Sequence, residues 1–355
     1  MSGSPATEMQ DEDGVAAVQA RPRRWPRRLL GALLMLILVV TVLNWTWGRL
    51  PSEPKPTGHF VQVGALRIHY LETDPHGHGL PVLLIHGLPG TAYDFDAVTP
   101  LLSGHRTIAL DRPGYGYSTG GYLPFAGQLR AIHGLLARLG ISKAIIVGHS
   151  YGGTIALGYA ERFPSQVAGL VLVDAAAAGD HPNGMDRAQA HLVQVLQAPV
   201  VKQVSDVIFS QLVRKLSAEA GDSEAFSPAP VSQGHLHRLL AINMTPGNLA
   251  AYASEMLAAK GVIEGIDRRL SDVKVHAVVI QGSSDKLVHP VYGQRLAATL
   301  PNARLEMLSG GHMQPYQHPQ AIAEAVEAIA GELRSAEGRS RRRAPKRPAA
   351  ARSHA

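Results

Sequence analysis

Not one of the 355 residues is a cysteine. That absence removes disulfides, thiolate nucleophiles and cysteine-type zinc sites together. It leaves the compartment open, since an exported protein need not use disulfides. Internal repeats are lacking too. A strongly basic core is also missing, although the formal net charge is +6. Residues 1–28 hold five arginines against four acids, and residues 335–355 hold seven basic residues against Glu337. Everything between is therefore nearly neutral, at about −1. No nucleic-acid partner is expected of such a core. Only the tail "RSRRRAPKRPAAAR" could meet phosphate or anionic lipid, and it reads as a disordered, solubilising end. What remains is ordinary. An apolar content of 45% implies that most of the chain folds, and the length suffices for a large core with an insertion.

Charge is wholly absent from one further stretch, LLGALLMLILVVTVLNWTW, from Leu29 to Trp47. As a helix these nineteen residues would span about 28 Å, close to the roughly 30 Å of a bilayer's hydrocarbon core. Trp25 precedes the stretch while Trp45 and Trp47 close it, as rings seated at two interfaces would. Arginines 21, 23, 24, 27 and 28 stand before it. The positive-inside rule then keeps residues 1–28 in the cytoplasm and places the later domain outside it, on a single-pass anchor. A cleaved signal peptide is the rival, but no small-residue cleavage site follows and the run is long for one. Residues 48–57, within "GRLPSEPKPTG" (48–58), form a proline-spaced linker expected to hold the domain off the membrane. A chain beginning near Pro51 is expected to be soluble and to carry the whole site.

From His59 to Thr73 the pattern alternates and turns at Gly64, which predicts a hairpin. "PVLLIHG" (81–87), "RTIALD" (106–111), "AIIVG" (144–148), "GLVLVD" (169–174) and "HAVVIQG" (276–282) are continuous apolar runs, as in strands buried on both faces. "RLEML" (304–308) is the last strand and 320–333 the closing helix. A helix over 124–139 puts Leu129, Ile132, Leu135, Leu136 and Leu139 on one side. Alternating strands and helices of this kind specify an α/β fold with a mostly parallel sheet covered on both faces. Residues 175–275 lack a convincing strand and are too many for a bare loop, so they form a helical insertion over the strand ends. The core is then 58–174 with 276–334.

"IIVGHSYGG" (145–153) runs a buried strand into a serine with glycines two residues away on either side. A strand that ends, reverses and starts a helix at Ser150 would expose its hydroxyl at the apex, and Gly148 and Gly152 would leave room for the bend. Acyl chemistry at Ser150 needs a base, a group to orient the base, and donors for the oxyanion. His312 in "LSGGHMQP" follows the last strand in a glycine-loosened loop. Asp285 in "VVIQGSSDKLVHP" lies just past another strand, and Asp174, also at a strand end, is the reserve acid. The backbone N–H groups of Tyr151 and Leu88 are the expected oxyanion donors, Pro89 having none to offer.

"HGLPG" (86–90), "DRPGYGYS" (111–118), "GHSYGG" (148–153), "GSSD" (282–285) and "GGH" (310–312) follow the order seen in the α/β-hydrolase superfamily, and the chain resembles its serine-nucleophile, capped, esterase-like and epoxide-hydrolase-like branch. The resemblance covers about 58–334, with the insertion corresponding to the family's cap. It implies a cofactor-free, metal-free hydrolase with Ser150 as nucleophile, His312 as base and Asp285 as acid, acting on a small, partly apolar acyl substrate. "HGLPG" also resembles the loop of epoxide hydrolases and haloalkane dehalogenases. Those relatives use an aspartate nucleophile where this chain has Ser150, so their reactions are not expected here.

Other residues of the motifs read as structural. His86 and His149 are expected to pack and hydrogen-bond beside the site, and Asp111 to fix its turn. His235 and His237 in the insertion lack acidic neighbours at ligand spacing and read as solvated or core histidines. A cofactor-free haloperoxidase or perhydrolase could use the same triad. An aminopeptidase would need insertion acids, such as Glu255 or Glu264, aimed inward at the substrate amine. A binding protein on this fold would be expected to have lost a triad member, and every member has a candidate.

Overall fold

A computed structural model describes residues 25–179 and 198–343, with His191 and Val195 between them. The cytoplasmic reading of residues 1–24, the start of the insertion and the last twelve residues lie outside the described part.

Eight strands form one sheet: β1 (His59–Val63), β2 (Leu66–Thr73), β3 (Val82–Ile85), β4 (Thr107–Leu110), β5 (Ala144–His149), β6 (Val167–Val173), β7 (Ala277–Gly282) and β8 (Ala303–Leu308). Their spatial order is β1-β2-β4-β3-β5-β6-β7-β8. The hairpin β1–β2 and the pair β2–β4 are antiparallel and the remaining pairs parallel. Gly64 turns the hairpin at a φ of 59°, where a side chain would be strained. The continuous apolar runs are indeed buried on both faces, from Val82–Ile85 through Ala277–Gly282.

The α-helices are α1 (Trp25–Thr46), α2 (Phe125–Arg138), α3 (Tyr151–Arg162), α4 (Pro199–Ile208), α5 (Ser210–Phe226), α6 (Gln233–Arg238), α7 (Pro246–Asp267), α8 (Pro290–Thr299), α9 (Gln314–Gln317) and α10 (Pro319–Arg343), with short 3-10 turns and one π-helical turn among the described residues. One sheet face packs Leu135 and Ile132 of α2, Ile155 of α3, Ile263 of α7 and Leu296 of α8. Phe95 with Ile322, Val326 and Ile329 of α10 covers the other. Helices α4 to α7 stand between β6 and β7.

Register aligns the strand ends. Ile85 pairs with Gly148, His149 with Val173, and Val173 with Ile280. The loops after β3, β5, β6, β7 and β8 therefore leave the sheet at one edge, the edge where parallel sheets bind ligands.

Two expectations are corrected. The proline-spaced segment does not hold the domain away from α1. The Pro54 carbonyl accepts from Tyr117 Oη at 2.7 Å, Thr57 Oγ1 meets Tyr93 Oη at 2.8 Å, and Leu50 packs with Leu239, Leu240 and Met244. Prolines strip the segment of N–H groups but leave its carbonyls as acceptors, and Tyr117 takes that of Pro54, while the Thr57 N–H donates to Tyr93 Oη. The closing helix also continues beyond residue 334 to Arg343, into the part expected to be disordered. Alanine, glutamate and arginine sustain it, and the first proline past its start is Pro345.

Candidate active site

Strand β5 delivers Ser150 directly to the start of α3, and the bend between them puts the serine at φ 54°, ψ −124°. A non-glycine residue there is strained, so neighbouring contacts must hold it. The Ser150 N–H donates to the Val173 carbonyl at 2.9 Å, and its own carbonyl accepts from Gly153 and Ala176. Close packing explains the glycines. A side chain on Gly87 would stand 2.8 Å from Ser150 Cβ, and one on Gly152 would strike the carbonyls of Ile85 and His86. Tyr151 opens α3, so its N–H has no acceptor within the helix.

His312 and Asp285 meet. Nδ1 of His312 lies 2.8 Å from Asp285 Oδ2, both side chains being buried. The other carboxylate oxygen accepts from Leu287 N at 2.8 Å and Val288 N at 2.9 Å. Burial alone would push the Asp285 carboxyl up, but His312 and these N–H donors outweigh it and hold it below its ordinary range. An ionised Asp285 accepts from Nδ1–H, so in the neutral imidazole Nε2 is the unprotonated nitrogen. The His312 loop is held in turn by the insertion, for His312 N donates to the Ala225 carbonyl at 2.8 Å.

Asp174 stands beside this pair, at a φ of 45° after β6. Its Oδ1 accepts from Gly282 N at 2.7 Å and from Gln281 Nε2 at 3.2 Å, while Oδ2 is buried without a partner. Gln281 Nε2 also lies 3.3 Å from Asp285 Oδ2 and so bridges the two acids. Burial, reinforced by the charge of Asp285, pushes the Asp174 carboxyl well above its usual range. Burial thus favours the neutral form of Asp174, while its partners favour the charged form of Asp285. Nothing in the sequence spacing announced Gln281 as their bridge.

His149, Asp174 and His312 bring one potential ligand atom each within 4.8 Å of one another. Their chemistry is poor for a cation. Burial disfavours the charged, ligating form of Asp174, and His149 Nε2 donates to the His312 carbonyl at 2.9 Å. Burial, with His312 nearby, lowers the His149 imidazole to about 3, so it stays neutral.

Around the loop after β3 lies a network that the motifs only hinted at. The Arg112 N–H donates to His86 Nε2 at 3.0 Å, which leaves Nδ1 of His86 to donate to the Gly87 carbonyl at 3.0 Å. Burial and the Arg112 charge keep His86 neutral. Arg112 Nη2 donates to the same carbonyl at 2.8 Å, while Nη1 reaches Glu255 Oε1 at 2.8 Å and Gln128 Oε1 at 2.8 Å. Tyr115 Oη donates to Glu255 Oε2 at 2.6 Å, and Gln128 Nε2 also meets Glu255. Glu255 belongs to α7, so a fully buried ion pair ties the insertion to the β3 loop. Glu264 instead pairs loosely with Lys260 at the surface.

His237 is exposed on α6. Asp111 accepts from Ala92 N at 2.7 Å, Tyr117 N at 2.9 Å and His69 Nδ1 at 2.7 Å, which fixes its turn. His235 is buried and does have acidic neighbours, Asp222 at 3.3 Å and Asp94 at 3.9 Å. Asp222 comes from the preceding helix α5 and Asp94 from the loop after β3, so spacing within one element could not reveal them. Burial pushes Asp94 up to about 7, and the two acids raise His235 against its own burial.

The model of the α/β-hydrolase fold family matches residues 81–319. A 2-hydroxy-6-oxononadienedioate/2-hydroxy-6-oxononatrienedioate hydrolase of Burkholderia vietnamiensis is 28% identical over 274 residues, 74% of this chain and 90% of that protein. An esterase of Exiguobacterium antarcticum superposes with a TM-score of 0.59 at 21% identity, covering 78% of this chain and all of the other. A haloalkane dehalogenase of Bradyrhizobium elkani gives 0.58 at 23% identity, covering 78% and 98%. Sheet order, elbow and family match converge, and the chain belongs to the α/β-hydrolase fold family.

Proposed function

We propose that the protein is a membrane-anchored serine hydrolase that cleaves a carboxylic ester, or a related acyl bond, through an acyl-enzyme. Ser150 attacks the acyl carbon as His312 Nε2 takes its proton. The tetrahedral oxyanion is held by the N–H groups of Tyr151 and Leu88, and the imidazolium returns the proton to the leaving alcohol. Water then repeats the sequence to release the acid. Asp285 orients the imidazole and stabilises its charged form. The helical insertion acts as a cap over the site.

The observation that carries this reading is the 2.8 Å contact between His312 Nδ1 and an ionised Asp285, at the sheet edge where Ser150 heads α3. The exposed apolar face of α1 supports the anchor, since residues 28–46 suffice in length to cross a bilayer. Removal of α1 by cleavage as a signal is the competing fate.

Hydrolysis of a carbon–carbon bond, as named for the Burkholderia vietnamiensis protein, is the second reading. A dicarboxylate substrate of that kind calls for cations, and Arg112 beside the β3 loop is already neutralised by Glu255. An aminopeptidase is disfavoured for the converse reason. Glu255 faces inward but is occupied by Arg112, and Glu264 is a surface residue.

A fluorophosphonate label followed by p-nitrophenyl esters of graded chain length tests the proposal. Stoichiometric labelling with turnover of at least one chain length is expected. A protein that neither labels nor cleaves any ester would not be a serine esterase.

A further inference from the structure

Helix α4 reads PVVKQVSDVI, and Val200, Val201, Val204 and Val207 recur on it at spacings that make one stripe. A helical stripe of this kind faces a core in most soluble domains. Here it faces outward, with Val200 75% exposed, Val204 54% and Val207 50%. Val213 and Leu216, one turn apart on α5, extend the same apolar exposure. Exposed apolar residues gathered on neighbouring helices mark an interaction surface.

Its position says what it meets. Both α4 and α5 pack against α1. Asn44 of α1 is completely buried there, its Nδ2 donating to the Val207 carbonyl at 3.2 Å and its Oδ1 accepting from Leu212 N at 3.0 Å. Trp45 Nε1 donates to the same Val207 carbonyl at 3.0 Å while its ring remains 55% exposed. A side chain on Gly48 would collide with the Leu212 backbone, so the two segments touch closely. Lys215 Nζ reaches the Trp47 carbonyl at 3.0 Å. Val207, at one end of the valine stripe, is thus held against the end of α1 that carries its terminal tryptophans, residues of the kind that sit at the membrane–water boundary.

We propose that the outer face of α4 and the start of α5 lies in the interfacial layer of the bilayer that α1 crosses. The insertion rests on the membrane and carries the domain with it. This rests on the membrane-anchored reading above. The docked segment from Pro54 to Thr57 agrees with it, because the domain is held close to the end of α1. Lys215, with its ammonium on the Trp47 carbonyl and 3.9 Å from Glu219, puts a charge at the level of that boundary rather than in the apolar layer.

The absence of cysteine makes the test clean. Single substitutions Val200→Cys, Val204→Cys and Val207→Cys are introduced in the full chain, which is spin-labelled and reconstituted in palmitoyl-oleoyl phosphatidylcholine vesicles. Accessibility is read with oxygen, which partitions into lipid, against a water-soluble nickel chelate. Leu36→Cys on α1 is the lipid control. Ser142→Cys, exposed before β5 and away from the site edge, is the aqueous control. The oxygen-to-nickel ratio at the three valine positions should exceed that at position 142 several-fold. Values matching position 142, with Leu36→Cys lipid-exposed, would overturn the proposal while leaving the anchor intact. An aqueous Leu36→Cys would overturn the anchor and the proposal together. Spin–spin broadening at the valine positions would show a second copy covering the face, and would overturn it too.

Discussion

Arg112 Nη2 donates to the Gly87 carbonyl at 2.8 Å, and that carbonyl belongs to the peptide whose N–H is Leu88. The two ends of a trans peptide point in opposite directions. Holding the carbonyl from one side therefore fixes where the Leu88 N–H is aimed on the other. If Leu88 is an oxyanion donor, Arg112 is its positioning residue, and Glu255 links that setting to the insertion.

Arg112→Met alone should cost about 3–5 kcal/mol of stability, because Glu255 is left buried without its cation. Arg112→Met combined with Glu255→Gln removes both charges and should recover most of that loss in thermal unfolding. Turnover should not recover with it. In the double variant kcat should remain about 10- to 100-fold low with KM little changed, since a misaimed donor acts on the transition state. Wild-type kcat in the double variant would reduce the network to a structural role.

Ser150→Ala should fold, lose ester hydrolysis and refuse the fluorophosphonate label. The φ of 54° is the one reservation of a physical kind, and alanine relieves it no more than serine does, so stability should be nearly unchanged. His312→Ala should lose activity to a similar degree. The double variant should be little worse than either single one, because members of such a unit fail together. Labelling of Ser150→Ala would move the nucleophile elsewhere.

The two strand-end aspartates should respond oppositely to amidation. Asp285→Asn removes the charge facing His312 Nδ1 and should lower kcat by about 10³- to 10⁴-fold. Burial favours the neutral form of Asp174, so Asp174→Asn mimics that form and should cost less than about tenfold. Stability adds a second readout. A carboxyl raised in the fold contributes most below its unfolded value of 3.8 and loses that contribution as pH rises toward its folded value. Asp174→Asn should therefore gain stability relative to wild type above about pH 4, with no gain below it. A crippled Asp174→Asn beside a mild Asp285→Asn would place the acid one strand earlier.

Much of this site was legible because strand ends are written in local pattern. An apolar run that stops at glycine and serine locates Ser150, and equivalent stops locate Asp174, Asp285 and His312. Parallel pairing then brings them to one edge without further information. Side-chain partners from distant segments are a different matter. Arg112 with Glu255, Gln281 between two acids, and His235 with Asp222 and Asp94 depend on how the insertion folds back, and no period in the sequence encodes that. The linker failed for the same reason. Its prolines signal extended chain, but its docking depends on Tyr93 and Tyr117, supplied from elsewhere.

The buried Asn44 couples the apolar helix α1 to the insertion. A helix from Arg28 to Thr46 held by apolar burial should keep the full chain with membranes through high salt and carbonate. A chain truncated to begin at Pro51 loses Asn44 and Trp45, which satisfy the Val207 carbonyl, and Leu50, which packs on Leu239 and Leu240. It should retain the sheet and the Ser150 edge, yet unfold at a lower temperature and expose α4 to protease sooner than the full chain does. Equal stability of the two would mean that α1 merely tethers. Orientation follows from the arginines at 21, 23, 24, 27 and 28, which favour a cytoplasmic start. Protease added outside the cytoplasmic membrane of spheroplasts should then digest the hydrolase domain. The basic residues after Arg339 do not oppose this strongly, because long domains translocate largely regardless of charge. Protection of the domain until the membrane is opened would reverse the orientation, and a mature N-terminus beyond Trp47 would show that the helix is removed.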